Sequence, residues 1–142
     1  MPVYWGMSSI KVEIDQVQNV ILPAQPVAYH NVWNIPLTLP VMDIREVCAE
    51  KVRAACQRAR YRDFYDLYQI LETFALDFEE VIALLKQKEI RKPIRRQNML
   101  SNWQVASEQQ TGDLRNIYCT RAIGNEQITA LLERLLFADI ET

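Results

Sequence analysis

The sequence is poor in histidine, glycine and paired cysteines, and it has no long apolar run. The one histidine, His30, has no nearby cysteine or second histidine, which argues against a zinc site. Cys48, Cys56 and Cys119 are odd in number and show no Cys-x-x-C spacing. Cys48 and Cys56 fall on the inner side of an expected helix. They read as small buried hydrophobes in a reducing compartment. No stretch approaches the roughly 18–20 apolar residues of a membrane span. Met1 to Ile14 lacks the basic n-region and apolar h-region of a signal peptide, so a cytoplasmic location and no membrane partner are expected. A strong charge of one sign is missing too. The net charge is −2 over 142 residues, so no global field demands nucleic acid or an anionic membrane.

What is present has the balance of a globular domain with a real core: 49% hydrophobic and 24% charged residues. Two regimes divide it. Residues 1–40 are rich in Val, Ile, Trp, Tyr and Pro. In "SIKVEIDQV" the apolar Ile10, Val12 and Ile14 alternate with Lys11, Glu13 and Asp15, the pattern of a half-buried strand. "NVILP" and "VAYHNVWNIPLTLP" predict shorter extended pieces, with Pro23, Pro26, Pro36 and Pro40 blocking helix.

Residues 41–142 carry a helical pattern. Asp43 with Glu46 three residues on reads as a capping box for a helix to about Ala59. A second helix is expected from about Tyr61 to Phe74. A third has Asp77 as cap, Glu80 at the box position and an inner face of Phe78, Val81, Ile82 and Leu85. A fourth follows Pro93 through Met99, Leu100 and Trp103, and "TGD" at Thr111–Asp113 breaks it. A last helix starts at Asn125, with a stripe of Ile128, Leu131, Leu132, Leu135 and Leu136. The expected class is therefore α+β: short N-terminal strands, then a bundle of four to five helices.

Charges interrupt this pattern in "EKVRAACQRARYRDFYDL". On a helical wheel Ile44, Cys48, Val52, Ala55 and Ala59 mark the inner arc of the first helix, and Val47 and Ala54 extend it. Lys51 falls inside that arc, with Arg58 beside it. On the second helix Leu67, Ile70, Leu71 and Phe74 define the arc. Asp63 falls within it and Asp66 at its edge. A lone charge facing a core costs several kcal/mol unless it is paired or reaches water. Two antiparallel helices with a short link can set Lys51 and Arg58 against Asp63 and Asp66. This arrangement is a register-fixing ion-pair cluster, a cleft that handles a phosphate or metal-bound nucleotide, or solvated surface.

Two further features carry the same double reading. Val12-Glu13-Ile14 is a way to hold a carboxylate at a metal centre, since hard cations want rigid oxygen ligands. It is also an ordinary exposed strand acid. "KQKEIRKPIRR" holds Lys86, Lys88, Arg91, Lys92, Arg95 and Arg96 with one acid. It can track an RNA backbone, or it is a solvated helix end with cations favoured at the C-terminus.

The run from Asp43 to Leu71 resembles the AbiEii/AbiGii abortive-infection nucleotidyltransferase toxins, bacterial members of the polymerase-β-like superfamily. The shared pattern reads Ala49-Glu50-Lys51, Arg53-Ala54, Arg58, then Arg62-Asp63-Phe64-Tyr65-Asp66-Leu67. The strand expected at Ile10–Ile14 is similar to the family's strand before these helices. The resemblance implies a partial nucleotidyltransferase-like fold, with residues 1–40 a β-rich remnant of its core and residues 41–142 a helical domain. It implies Lys51, Asp66 and Asp63 as catalytic residues, and Lys51, Arg58 and Arg62 as phosphate-binding residues. Glu13 corresponds to a third carboxylate, at a metal. The implied chemistry is transfer of a nucleotide from an NTP to an acceptor such as the tRNA 3′ end, with Mg²⁺, in phage defence, with a cognate antitoxin as partner.

The family's Gly-Ser turn and Asp-x-Asp pair are missing here. The glycines are Gly6, Gly112 and Gly124, and "WGMSS" at Trp5–Ser9 is not followed by such a pair. The expectation is a C-terminal portion, inert alone, that binds neither Mg²⁺ nor NTP tightly by itself. Exposed N-terminal strands would then favour a homo-oligomer. The alternative is a non-catalytic helical domain that binds an antitoxin or RNA.

Overall fold

The computed structural model describes residues 11–88, 90–110 and 121–142. Two strands, β1 (Gln25–Ala28) and β2 (Thr38–Val41), form an antiparallel hairpin. Among the described residues five helices follow: α1 (Ile44–Gln57), α2 (Tyr61–Thr73), α3 (Phe78–Gln87), α4 (Arg96–Glu108) and α5 (Asn125–Arg134). The class is α+β, as expected. No helix among the described residues is long and apolar enough to cross a membrane.

The hub is α1, which packs against α2, α3 and α4. Its inner face carries Cys48, Ala49, Val52, Ala55 and Cys56, small enough to let three helices approach. Cys48 and Cys56 are free and buried, and burial pushes both thiols up to about 12. They serve as small hydrophobes, as expected; Cys119 lies outside the described residues. On α2 the core face differs from the wheel. Tyr61, Phe64, Leu67 and Tyr68 are buried, whereas Phe74 is largely exposed. Trp103 of α4 explains this. Its ring meets Tyr61 at 5.8 Å and Phe64 at 5.2 Å, which draws the N-terminal half of α2 inward. On α5, Ile128, Leu131 and Leu132 are buried, as is Leu135 just beyond it, but Leu136 lies outside the core.

Caps also depart from expectation. Asp43 caps α1 by accepting from the Arg45 amide at 3.0 Å. Glu46 does not close a capping box. Its carboxylate turns inward and accepts from the amides of Ile21 at 2.9 Å and Leu22 at 3.0 Å. The buried Lys88 ammonium completes this lock, 2.6 Å from Glu46 and 3.0 Å from Glu50, and donates to the Asn19 carbonyl at 2.6 Å. Asp77 caps α3 through the Glu79 amide, while Glu80 pairs with Arg45 instead of completing a box. Asn125 is the first residue of α5 and not its cap; Gln127 accepts from the Gly124 amide there. The break expected at Thr111–Asp113 falls outside the described residues.

The strand expected at Ile10–Ile14 is not formed across residues 11–14, and Val12 and Ile14 are exposed. Alternation alone makes no strand without a neighbour to supply the ladder. The "NVILP" segment is likewise not a strand; the Glu46 carboxylate takes its amides. The hairpin forms where proline permits. Pro26 lies opposite Pro40, and the Tyr29 amide donates to the Leu37 carbonyl at 2.8 Å in the same register. That parity makes the proline pair a non-hydrogen-bonded one, so neither missing N–H is felt. Asn34 takes the left-handed turn position (φ 52°) that asparagine tolerates. Among the described residues neither strand packs against a helix, and Val27, Tyr29, Leu37, Leu39 and Val41 line one exposed sheet face.

The Glu46–Lys88 lock fixes the segment before the hairpin to α1 and α3. Burial raises the Glu46 carboxyl, but the Lys88 bond and the two amides outweigh it and hold the group below its ordinary 4.5. A depressed folded value gives stability that is full above the unfolded value and is lost as the pH falls through the folded one. Urea unfolding at neutral pH should show Glu46→Ala less stable by about 3–5 kcal/mol, because the buried Lys88 loses one of its three partners and the Ile21 and Leu22 amides lose their acceptor. Glu46→Gln should flatten the loss of stability below pH 4.5. A loss under about 1 kcal/mol, the scale of a solvated pair, would contradict the lock.

Candidate functional site

A short link, Arg58 to Arg60, turns α1 back into α2. Helix α1 stops at Gln57, where Arg58 is extended (φ −153°, ψ 152°). The pairings Arg58–Asp63 and Lys51–Asp66 nest along the chain, so the two helices run antiparallel. The four charges flagged by the wheel therefore meet in one cluster. The Lys51 ammonium lies 2.6 Å from Asp66 Oδ2 and 3.4 Å from Asp63 Oδ1. Arg58 reaches Asp63 through two bonds, Nε to Oδ2 at 2.7 Å and Nη2 to Oδ1 at 3.1 Å.

The four groups differ in exposure. The Asp63 side chain is 0% exposed, Lys51 27%, Asp66 43% and Arg58 45%. Burial raises the Asp63 carboxyl, yet the Arg58 bonds and the Arg58 and Lys51 charges win and hold it below the usual carboxylate range. Asp63 is thus an ionised, inflexible support. Asp66 is a solvated partner that exchanges with little loss.

The cluster forms one wall of an open groove of about 260 Å³ lined by Glu50, Lys51, Arg53, Ala54, Gln57, Arg58 and Asp63. Arg53 is held there by Glu50 through its Nε and Nη2, and Glu50 in turn meets the buried Lys88. The wheel missed Glu50 and Arg53 as groove residues. Their three-residue spacing on one helix is the signal that pairs them.

Other expected site residues lie elsewhere. Arg62 is exposed on the first turn of α2 and does not line the groove. Glu13 pairs with Lys11 in solvent and also lies off the groove. The basic run divides. Lys88, expected at an RNA surface, is buried in the Glu46 lock and unavailable to phosphate. Arg96 spends its guanidinium on the carbonyls of Leu132, Glu133 and Leu135 at the end of α5. Lys86 faces a separate groove beside Leu136 and Phe137. Arg91 is exposed. Lys92 and Arg95 line a groove with Cys56, Gln57, Pro93 and Asn98.

The three carboxylates expected at the site do not fit a divalent metal. Asp63 commits both oxygens to Arg58 and Lys51, Asp66 binds Lys51, and Glu13 binds Lys11. No three His, Cys, Asp or Glu side chains gather as a metal site among the described residues. What the groove offers is positive charge on a rigid acid support, which suits an anionic phosphate.

Asp63→Ala should cost about 2–3 kcal/mol in urea unfolding, since its two cations turn to water but lose a buried, doubly bonded acceptor. Asp66→Ala should cost less than about 1 kcal/mol. Equal losses at the two positions would refute the division into buried support and exchangeable partner.

Residues 6–138 match the family model described as nucleotidyl transferase AbiEii toxin, type IV TA system. No curated protein and no solved structure matches the chain. The match spans nearly the whole sequence, including the α1–α2 hairpin and its charge cluster, and the chain belongs to the AbiEii nucleotidyltransferase toxin family.

Proposed function

We propose that the Lys51 groove receives the triphosphate of a nucleotide in a nucleotidyl transfer to an acceptor such as the tRNA 3′ end. The observation that carries this reading is the three-cation groove, Lys51, Arg53 and Arg58, built on a buried aspartate. In such a transfer an acceptor hydroxyl gives up its proton to solvent and its oxygen attacks the α-phosphorus. The bond to the bridging oxygen of the β-phosphate breaks, and pyrophosphate leaves. Charge builds on the phosphate oxygens, and fixed cations stabilise it. Lys51 exchanges the exposed Asp66 for a phosphate oxygen, while Asp63 keeps Lys51 and Arg58 aimed. Asp63 is in this sense a positioning residue.

The 142 residues contain no Gly-Ser dipeptide and no Asp-x-Asp pair, the motifs tied to metal by the family resemblance. We therefore assign this chain the phosphate-handling part of the reaction and not its metal-binding part. The enzyme would be completed by residues outside this sequence. A second reading, an interaction domain without catalysis that binds an antitoxin or RNA, draws on the exposed apolar face of the hairpin. That same face would support a homo-oligomer.

Calorimetric titration with a nucleoside triphosphate should show weak binding by the chain, reduced about tenfold or more in Lys51→Ala. Incubation with labelled triphosphate, Mg²⁺ and tRNA should give no incorporation. Triphosphate affinity indifferent to Lys51 would refute the groove assignment. Incorporation abolished by Lys51→Ala would instead show the chain to be a complete enzyme. Salt-sensitive tRNA binding without any triphosphate affinity would favour the second reading.

A further inference from the structure

The three cations of the Lys51 groove stand on two sides of it. Lys51 and Arg58 face α2, where Asp63 and Asp66 take their bonds. Arg53 lies about 160° round α1 from Lys51 at the 3.6-residue period. Between the two sides runs the half-buried Ala54, whose single methyl leaves the groove open. An anion with charge at two separated points therefore meets cations at both ends. Asp63 fixes the Lys51 side and makes no bond to Arg53.

Glu50 fixes the Arg53 side. Its Oε2 accepts from Arg53 Nε at 2.9 Å and also from Nη2. Side-chain exposures of 21% for Arg53 and 22% for Glu50 set this pair apart from a solvated pair of the same spacing, which opens readily. The other carboxylate oxygen, Oε1, is buried and lies 3.0 Å from the Lys88 ammonium, off the angle of a hydrogen bond. Lys88 has a full charge partner without it, since Glu46 lies at 2.6 Å and the Asn19 carbonyl takes a further proton at 2.6 Å. The gain falls on Glu50. A sealed ammonium holds its carboxylate, and the carboxylate aims Arg53 into the groove. Arg53 keeps its Nη1 N–H groups unbonded among the described residues. Asp15, exposed and occupied by the Val17 and Gln18 amides, is another carboxylate in its field.

From this geometry we infer that Glu50 is a positioning residue for phosphate binding. Anchored on Lys88, it holds Arg53 as a second arm of the groove, opposite Lys51 and Arg58, and a triphosphate bridges the two arms over Ala54. The inference rests on the triphosphate reading of the groove. The two arms work differently. Lys51 gives up Asp66 to take a phosphate oxygen, because that partner is 43% exposed. Arg53 keeps Glu50 and offers its remaining N–H groups, since a guanidinium has donors enough for both. Charge alone would give Glu50 the opposite effect. A carboxylate lining the groove repels an anion, so its removal would strengthen triphosphate binding. As a positioning residue it strengthens binding itself. Without it Arg53 swings out in the direction that its place on α1 gives it, and the freedom gained must be lost again when phosphate binds.

The test is calorimetric titration of the full chain with the tightest-binding of ATP, GTP, CTP and UTP, run as a double-mutant cycle. Arg53→Ala should weaken binding about tenfold. Glu50→Ala should weaken it about fivefold or more, against the sense that charge alone predicts. The double variant should bind no more weakly than Arg53→Ala alone, because Glu50 acts through Arg53. A purely structural role for Glu50 would carry the same loss into both backgrounds. Glu50→Gln keeps an acceptor for Arg53, so it should weaken binding less, and it serves if Glu50→Ala does not fold. Arg134→Ala, which removes a cation of α5 that does not line the groove, should change nothing. Unchanged or tighter binding in the Glu50 variants, or losses that add in the double variant, would overturn the positioning role. If Lys51→Ala still weakens binding in that case, the triphosphate reading stands. Affinity that depends on Arg53 and not on Lys51 would overturn the bridge between the arms. Affinity indifferent to Lys51, Glu50 and Arg53 alike would overturn both readings.

Discussion

Everything at the charged end of this molecule depends on one buried carboxylate. Asp63 sits on the inner side of α2 with no access to water, and only paired cations make an ionised acid tolerable there. Arg58 and Lys51 fill that need from the facing helix. In doing so they fix the register of α1 on α2 and acquire fixed positions themselves. The structural demand and the chemical opportunity are the same interaction. A buried acid that must be neutralised holds two cations at the rim of a groove, where each keeps one side turned to solvent.

A second buried pair stands at the other end of α1 and does different work. Glu46 and Lys88 are both sealed from solvent, and their bonds run to the backbone of Asn19, Ile21 and Leu22. This pair presents no charge to a groove. It ties an irregular segment to the helices and satisfies amides that would otherwise lack partners. Glu50 links the lock to the groove, contacting Lys88 on one side and the groove-lining Arg53 on the other. Helix α1 thus carries a fastening acid at its start and groove-lining cations toward its end, with Glu50 between them.

Much of the charged site was legible in the sequence, because helical period converts spacing into direction. The wheel brought Lys51, Arg58, Asp63 and Asp66 to one interface, and they pair there. Where period alone was used without partners, it misled. Ile10–Ile14 alternates as a strand should, but over residues 11–14 no neighbouring strand takes its amides. Glu46 stood in the right place for a capping box, yet tertiary amides and Lys88 compete for it more strongly than the local one. The inner face of α2 was misplaced because the position of Trp103, far along the chain, decides it. The sorting of the six basic residues into buried, capping, groove-lining and simply exposed positions depends likewise on contacts made across the fold.

The central claim is that Asp63 holds Lys51 and Arg58 in place for a phosphate, with Asp66 as the partner that yields. A crystal structure of the chain with a bound nucleoside triphosphate tests it most directly. The expected result places phosphate oxygens within hydrogen-bond distance of Lys51 and Arg58, with the Lys51–Asp66 pair opened and the Arg58–Asp63 pair kept. A triphosphate bound away from this groove, or one that leaves Lys51 on Asp66, would contradict it.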